Sequence, residues 1–258
     1  MTRALTRVLT RVLKIGGRAQ ADAGLAAAVN HAAGKGPVVV VHGGGDEVSA
    51  LQRRLGMTPT FHGGRRVTTV EDLEFVRMVL SGSANKRLVA TFVSEGIRAV
   101  GISGEDDGLL RARVTARETL GEVGAPSRVD AGLLDMLVGA GYVPVVSPLA
   151  RDEDTGSPLN VNGDDAAAAI AIAMGAEELV LVADVPGVIA DGTVVLELDL
   201  EQAAELVNNG TARDGMAAKL QAARRAVEFG VSRVRIGNIA AIQSATAGTV
   251  ITLSPTTV

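Results

Sequence analysis

Short runs of β-branched residues, each stopped by glycine or a polar cluster, limit most strongly what this chain can fold into. Gly36-Pro37 precedes the run Val38–Val41, and its length and branching indicate a buried strand. Further strands are predicted at Val8–Ile15, Arg98–Ile102, Val143–Ser147 and Leu179–Ala183. Helical segments separate the strands. This alternation predicts an α/β fold with an open, mostly parallel, doubly wound sheet sandwiched by helices.

Several segments between the strands have a less regular pattern. Glu71–Leu80 and Asn85–Glu95 are predicted as two helices that Ser81-Gly82-Ser83 separates. Arg111–Ser127 is polar and is predicted to be irregular. Phe61–Thr69 contains two glycines and is predicted as a hairpin or an exposed loop.

The composition restricts both architecture and function. With 258 residues, 47% of them hydrophobic, the chain suits one large α/β domain or two lobes, and the favoured lobe boundary near Gly175 gives 1–176 and 177–258. A net charge of −4, without a basic aromatic pattern, gives no electrostatic basis for binding nucleic acid. The absence of cysteine excludes disulfides, thiolate metal sites and cysteine nucleophiles. No apolar run reaches the roughly 18 residues of a membrane span, so we expect a soluble, cytoplasmic protein.

Polar or glycine-rich clusters follow the predicted strands. They are Gly16-Gly17, His42–Gly45, Ser103-Gly104, Asn160–Asp164 and Asp184–Gly187. Open α/β sheets bind ligands at the carboxyl ends of their strands. The clusters therefore predict one crevice that is assembled from several loops.

Two of these loops, Gly16-Gly17 and Gly43–Gly45, suit an anion. Glycine lets backbone N–H groups approach a ligand without a Cβ in the way, and a following helix adds its positive end. Together the loops predict a phosphate-rich ligand. The two standard nucleotide signatures are missing, which argues against a P-loop NTPase and against a dinucleotide-dependent dehydrogenase.

A polar segment precedes the alanine-rich helix predicted after Asp165. Asn162 or Gly163 can cap this helix, and Asp164 and Asp165 then fall in its first turn, where the helix dipole favours negative charge. For Asn162 and Asp165, capping and a functional role both stay open. Asn160 and Asp164 are expected to be functional.

A carboxylate such as Asp164, fixed where a strand meets a helix, can orient lysines. Lys14 and Lys219 are isolated lysines in glycine-rich settings. The alternatives are a snorkelling side chain for Lys14 and a solvated helix face for Lys219. We expect Lys14 to be functional, whereas Lys219 on its own indicates little.

Two further features carry charge or can titrate. Arg65 and Arg66 follow a glycine pair, and one of them could clamp a carboxylate with its planar fork; solvated surface is the alternative. His42 is either catalytic or structural, and no second histidine or cysteine lies at metal-ligand spacing.

Nine motifs occur in the order found in one family. They are Lys14-x-Gly-Gly, His42-Gly-Gly-Gly, Gly64-Arg-Arg-Val-Thr68, Met78-Val-Leu with Gly82 and Asn85-Lys86, Ala99-Val-Gly-Ile, Pro144-Val-Val-Ser-Pro148, Asn160-Val-Asn-Gly-Asp164, Asp184-Val-Pro-Gly187 and Asp214-Gly-Met-Ala-Ala-Lys219. In these motifs, which cover nearly the whole chain, the sequence resembles the N-acetyl-L-glutamate kinases of the amino acid kinase family.

The resemblance implies that ATP phosphorylates the side-chain carboxylate of N-acetyl-L-glutamate. It implies that Lys14 and Lys219 stabilise the transferring phosphoryl group from two sides and that Asp164 holds both lysines. It assigns Gly17, Gly44 and Gly45 to the backbone cradle of that group. Such chemistry is positioning plus charge neutralisation, because a carboxylate nucleophile needs no general base.

The resemblance also assigns the ligand sites. It implies that Arg66 and Asn160 bind the α-carboxylate of the substrate. The residues implied for the ATP site are Asp184, Val185, Pro186, Gly187, Val188, Ile189, Thr211, Ala212 and Arg213. Mg²⁺ is expected to be held mainly by phosphate oxygens and water, so no protein ligand for a metal is named. By the same resemblance, 1–176 binds the amino acid and dimerises, and 177–258 binds ATP.

The sequence departs from the family pattern at Arg18, at Glu105–Asp107 and in a short segment between Asn238 and Gly248. Two alternatives stay open: a kinase for an aminoadipate derivative, and a non-catalytic sensor of the same fold. The Gly64-Arg-Arg-Val-Thr68 loop favours acetylglutamate, and the presence of both lysines with Asp164 disfavours a sensor. By the resemblance, arginine-inhibited members carry an extra helix before the first strand, and their arginine site also uses the segment before the last strand. Here only Met1–Arg7 precede the first predicted strand and the later segment is short, so we expect a homodimer without arginine inhibition.

Overall fold

The computed structural model describes residues 10–253 of the chain. Its strands are β1 (Arg11–Ile15), β2 (Val38–His42), β3 (Phe61–His62), β4 (Arg65–Arg66), β5 (Ala99–Ser103), β6 (Leu110–Val114), β7 (Val123–Val129), β8 (Val143–Ser147), β9 (Leu149–Asp152), β10 (Pro158–Val161), β11 (Glu178–Val182), β12 (Ile189–Ala190), β13 (Thr193–Val194), β14 (Glu197–Asp199), β15 (Arg233–Gly237) and β16 (Thr249–Thr252). Its α-helices are α1 (Leu25–Ala33), α2 (Gly45–Arg54), α3 (Val70–Arg77), α4 (Asn85–Ser94), α5 (Arg117–Leu120), α6 (Gly132–Gly139), α7 (Gly163–Met174), α8 (Leu200–Asn208), α9 (Asp214–Glu228) and α10 (Ala240–Gln243).

Eight strands form the central sheet, in the order β14-β16-β15-β11-β1-β2-β8-β5. All its neighbouring strands are parallel except β15 and β16. The prediction of a mostly parallel α/β sheet is therefore confirmed. Strand β1 pairs on one side with β2 and on the other with β11, which places Lys14 level with Val41 and Leu181.

Apolar cores cover both faces of this sheet. On β1, Val12 belongs to a core shared with α7 and α9, whereas Leu13 belongs to a core shared with α1 and α4. Successive side chains of a strand point to opposite faces, so an unbroken apolar strand fills both cores. No helix within the described residues is both long and apolar enough to cross a membrane.

A small closed barrel, β10-β7-β6-β9, stands beside the sheet and delivers Asn160 on β10. The prediction that Arg111–Ser127 is irregular is wrong, because this segment contains most of β6, all of α5 and much of β7. On β6, Leu110 and Ala112 are buried while Arg113 is exposed. Burial along β6 alternates with a period of two residues, but the charged residues of its outer face make the segment look polar in the sequence.

The predicted break at Ser81-Gly82-Ser83 is also wrong. Met78–Ala84 forms a π-helical segment that joins α3 to α4. Side-chain hydrogen bonds anchor it, among them Ser81 Oγ with Ser147 Oγ at 2.7 Å. The predicted first strand, Val8–Ile15, begins outside the described residues, and Met1–Arg7 lie wholly outside them; within the described residues, β1 starts at Arg11.

Candidate active site

Asp164 joins two lysines that come from different parts of the fold. Lys14 Nζ, from the end of β1, lies 3.0 Å from Asp164 Oδ1. Lys219 Nζ, from α9, lies 3.4 Å from each carboxylate oxygen. All three side chains are buried. The structure thus brings together the two lysines and the carboxylate that the sequence analysis named.

Burial and charge shift the titration of this cluster. Burial opposes ionisation of Asp164, but the charges of Lys14 and Lys219 outweigh it and hold the pKa of the carboxyl below its usual range. Burial lowers the pKa of Lys219 to about 8; the Lys14 charge adds to this effect, and Asp164 opposes it. Two ammonium groups that share one carboxylate carry an excess positive charge. A buried excess of this kind suits an anionic ligand.

Asn162 fixes the start of the helix that carries Asp164. Its side-chain oxygen accepts hydrogen bonds from the N–H of Asp164 at 2.8 Å and of Asp165 at 3.3 Å. Asn162 is therefore the N-cap of α7, which leaves both carboxylates free for other partners. Gly163, next to it, lies so close to Lys14 that an added Cβ would be 3.2 Å from Cε of the lysine.

The two glycine loops approach each other beside the lysines. A Cβ on Gly17 would lie 4.0 Å from Gly44 N, and one on Gly43 would lie 3.7 Å from Gly17 N. Within residues 10–253, no group accepts a hydrogen bond from the N–H of Gly17 or Gly44. Gly45 is the first residue of α2, where helices leave N–H groups unpaired. These donors form a cradle that suits an anion.

Arg66 is fixed by several polar groups. Its Nη1 donates to Gln52 Oε1 at 2.5 Å, and its Nη2 donates to Gly45 O and to Ser49 Oγ, both at 2.6 Å. Its guanidinium lies 4.7 Å from the centre of the Phe61 ring. The neighbouring Arg65 points to α7 instead. The residue pattern alone left open which arginine faces a ligand. Both line the same cavity, and Arg66 is the one that bonds to Gly45 of the glycine cradle.

Asn160 is tied to the same region through Thr68. Asn160 Nδ2 donates to Thr68 Oγ1 at 3.0 Å, and that hydroxyl donates to Arg66 O at 3.2 Å. The sequence analysis predicted no role for Gln52 or Ser49, and it named Thr68 only as the end of one family motif. Polar residues on the inner faces of a helix or next to a hairpin have no sequence signal that distinguishes them from solvated ones.

Three cavities surround these groups. The first, of about 220 Å³, is lined by Lys14, Gly17, Gly44, Gly45, Arg66, Asn160 and Asp164, among others. The second, of about 430 Å³, is lined by Lys14, Gly17, Arg18, Asp46, Asp184, Val185 and Lys219, among others. Lys14 and Gly17 line both cavities. A group that passes from one cavity to the other would cross between the lysines and the glycine cradle.

The residues implied for ATP are spread more widely. Asp184 and Val185 line the second cavity, and Ala212 and Arg213 line a third one of about 780 Å³. The others line none of these three cavities; they are Pro186, Gly187, Val188, Ile189 and Thr211.

Residues of this group that line no cavity still support the loop after β11. Val188 N donates to Thr249 Oγ1 at 2.8 Å, and a Cβ on Gly187 would meet that hydroxyl at 2.7 Å. Arg18 Nη1 lies 2.7 Å from Asp184 Oδ2 at the edge of the second cavity. Arg18, one of the departures from the family pattern, is therefore paired with an acidic residue that lines this cavity.

His42 and the acidic segment have structural partners. Burial lowers the pKa of His42 to about 4, so the ring is neutral near pH 7. Its Nδ1 lies 2.8 Å from Gly43 O, and Asn85 Nδ2 lies 3.2 Å from its Nε2. Glu105 pairs with Arg77 at 3.1 Å and with Arg151 at 3.2 Å.

The donor set suits a phosphorylated ligand with its cation. Lys14 lines both cavities, Lys219 lines the second, and the cradle of backbone N–H groups lines the first and in part the second. Among the described residues, no group of three or more histidine, cysteine or acidic side chains could hold a metal ion. Asp46 and Asp184 line the second cavity and offer oxygen atoms to water around a hard cation.

This fold and site define a class of protein. Residues 10–238 match the model of the amino acid kinase family, and the chain belongs to that family. The acetylglutamate kinase of Methanopyrus kandleri is 49% identical over 211 residues, which cover 78% of this chain and 85% of that protein. The acetylglutamate kinase of Roseiflexus castenholzii is 41% identical over 245 residues, which cover 93% of each chain.

A solved structure supports the fold. The crystal structure of smu.665 from Streptococcus mutans UA159 is similar to this chain with a TM-score of 0.86 at 27% identity. The similarity covers 94% of this chain and 98% of that one.

Proposed function

We propose that this chain is an acetylglutamate kinase: it uses ATP to phosphorylate the side-chain carboxylate of N-acetyl-L-glutamate, giving N-acetylglutamyl 5-phosphate in arginine biosynthesis. The observation that carries the proposal is the buried cluster of Lys14, Asp164 and Lys219 between two cavities. The relatives named acetylglutamate kinase, at 41% and 49% identity, support this acceptor.

In the proposed reaction, a side-chain carboxylate oxygen of the acceptor attacks the γ-phosphorus of ATP. The bond from that phosphorus to the bridging oxygen of ADP breaks, and its electron pair leaves with ADP. No proton has to move, because the nucleophile is already ionised. The protein therefore has to align the two substrates and stabilise charge on the transferring group.

Lys14 and Lys219 provide that charge, and the N–H groups of Gly17, Gly44 and Gly45 provide hydrogen bonds. Asp164 is not a base in this proposal. Its pKa is held below the usual range and its oxygens face the two ammonium groups. It holds both lysines in place by pairing with each of them.

The acceptor occupies the first cavity in this proposal, with its α-carboxylate near Arg66 and Asn160. Because Gln52, Ser49 and Gly45 already use donors of Arg66, this arginine meets the ligand from a fixed position. The second cavity takes the phosphates of ATP. We propose that the nucleotide also reaches the residues implied around Asp184–Ile189 and Thr211–Arg213.

Mg²⁺ would enter with the nucleotide, held by phosphate oxygens and water. When bound, it would neutralise phosphate charge. The two carboxylates that line the second cavity, Asp46 and Asp184, would accept hydrogen bonds from its water.

We further propose the division into an acceptor lobe, 1–176, and an ATP lobe, 177–258, and a cytoplasmic homodimer joined through the first lobe. Met174 ends α7 and Gly175 caps it in the left-handed conformation, so a sharp change of direction supports this boundary. Light scattering tests the dimer.

ADP release measured with N-acetyl-L-glutamate, with N-acetyl-aminoadipate and without an acceptor tests the function. We expect release that depends on N-acetyl-L-glutamate, together with an acyl phosphate that hydroxylamine converts to a hydroxamate. One additional methylene changes selectivity by about 10–200-fold. Equal turnover of both acceptors, or release without any acceptor, would contradict the proposal.

A further inference from the structure

Asp165, next to Asp164, is buried, but its charged partners are arginines and not the two lysines. Its Oδ2 lies 2.8 Å from Arg65 Nη2, and its Oδ1 lies 3.9 Å from Arg225 Nη1. Only 4% of Asp165 is exposed. A buried carboxylate requires a charged or hydrogen-bonding partner, and Arg65 is the close one.

Helix capping does not explain this carboxylate. Asn162 already accepts from the N–H of Asp165, so the side chain of Asp165 is free for its contact with Arg65. The contact joins residues that are 100 positions apart in the sequence. It fastens the hairpin β3–β4 to the start of α7.

Within the described part of the chain, the other side-chain hydrogen bonds that the hairpin strands donate are those of Arg66 to α2. The hairpin strands contain two residues each, and Phe61 and His62 are exposed. Arg65 and Arg66 are consecutive residues of β4 and point in opposite directions, one to α7 and the other to α2. The Arg65 contact therefore fixes the part of the backbone from which Arg66 extends into the first cavity.

We propose that Arg65 and Asp165 are positioning residues for the acyl amino acid: their ion pair holds the hairpin against α7 and thereby sets where Arg66 and Phe61 meet the substrate. This inference rests on the proposed function, in which Arg66 contacts the α-carboxylate of the acceptor. Arg65 also lines the first cavity, and both residues line the third one, but neither contacts the reacting atoms in this scheme.

The kinetic test uses Arg65→Gln, Asp165→Asn and the double variant. We expect the KM for N-acetyl-L-glutamate to rise about tenfold in each single variant, as for the loss of a charge-assisted hydrogen bond. The KM for ATP and kcat should stay within about twofold. Because both variants break the same contact, the double variant should be no worse than the more affected single one.

Two further variants separate positioning from a general loss of structure. Arg65→Lys keeps a charge that can reach Asp165 and should restore much of the KM. Arg113→Gln is the matched control, because Arg113 Nε lies 2.8 Å from Glu153 in an ion pair that lines none of the cavities described above. A wild-type KM in Arg65→Gln, or an equal rise in both KM values, would overturn the inference.

Hydrogen exchange of the free enzyme tests the same pair without a substrate. Val67 N donates to Thr60 O at 2.9 Å across the base of the hairpin. We expect the amides of residues 60–67 to exchange faster in Arg65→Gln but not in Arg113→Gln. Unchanged exchange would overturn the inference. If wild-type enzyme does not turn over N-acetyl-L-glutamate, the proposed function fails, and this measurement still decides the role of the ion pair.

Discussion

The side-chain oxygen of Gln52 accepts a hydrogen bond of 2.5 Å from Arg66, and its amide nitrogen donates one of 2.5 Å to Asp72. An arginine can only donate and a carboxylate can only accept, so the orientation of this buried amide is determined by its two partners. Asp72 in turn accepts from Thr69 at the start of α3. A helix cap is thus connected to the arginine of the first cavity.

From this chain of contacts we predict that Gln52→Leu raises the KM for N-acetyl-L-glutamate by about tenfold and leaves the KM for ATP almost unchanged. Leucine fills the space but leaves Arg66 and Asp72 without their partner. Steady-state kinetics with each substrate varied measure the effect. Gln243→Leu, at an exposed position of α10, is the control; similar changes in both variants would refute the role of Gln52.

The lysine cluster leads to a prediction about rate. Lys14→Met and Lys219→Met should each lower kcat by about 10²–10³, because each removes charge that meets the transferring phosphoryl group. The substrate KM values should change much less. Lys35→Ala, at the exposed position after α1, should behave like the wild type. Wild-type kcat in either methionine variant would eliminate that lysine from the mechanism.

The titration of Lys219 leads to a prediction about pH. Its pKa is lowered to about 8, so its ammonium form is present below this pH and is lost as the pH rises through it. Because kcat/KM reports the free enzyme, kcat/KM for ATP should decline above about pH 8. In Lys219→Arg, whose guanidinium stays charged, the decline should move to higher pH even if kcat is lower. A decline of kcat/KM at the same pH in both enzymes would show that another group causes it.

His42 is predicted to stabilise the protein without taking part in proton transfer. Its pKa of about 4 keeps it neutral throughout the neutral range. His42→Phe fills the space but removes both contacts, and we expect a loss of about 1–3 kcal/mol in the free energy of unfolding. Thermal unfolding measures this loss. The shape of the pH–rate profile between pH 6 and 9 should not change; a changed shape in His42→Phe would show that His42 takes part in proton transfer.

Much of the site was predictable because its residues lie where elements begin and end. Lys14 at the end of a strand, Asp164 at the start of a helix and the glycine loops each have a local signal. The contacts of Gln52 with Arg66 and Asp72 have no such local signal, and neither has the contact of Arg65 with Asp165, since these contacts join distant parts of the chain. Asp165 was open to two interpretations, because an acidic residue in the first turn of a helix is equally explained by the helix dipole.

The same reasoning explains where the fold differed from expectation. The sequence of β6 alternates apolar residues with arginines, which is the pattern of a half-buried strand, but its arginines favoured the interpretation of the segment as polar and irregular. Ser81-Gly82-Ser83 indicated a break, yet the chain continues as a π-helix whose serine side chains bond to Ser147 and to a backbone carbonyl. The local propensity of a Ser-Gly-Ser sequence carries no information about these hydrogen-bond partners.

The contrast between β1 and the β3–β4 hairpin has a consequence for how such an enzyme can be modified. Lys14 is built into a strand that is paired along both edges, whereas Arg65 and Arg66 are carried by a two-residue strand outside the central sheet. In the proposed function, the reaction chemistry and the preference for an acceptor are therefore encoded in separable parts of the fold. An exchange of the hairpin together with its anchor on α7 is a route to new acceptors in which the phosphate-transfer apparatus is left intact.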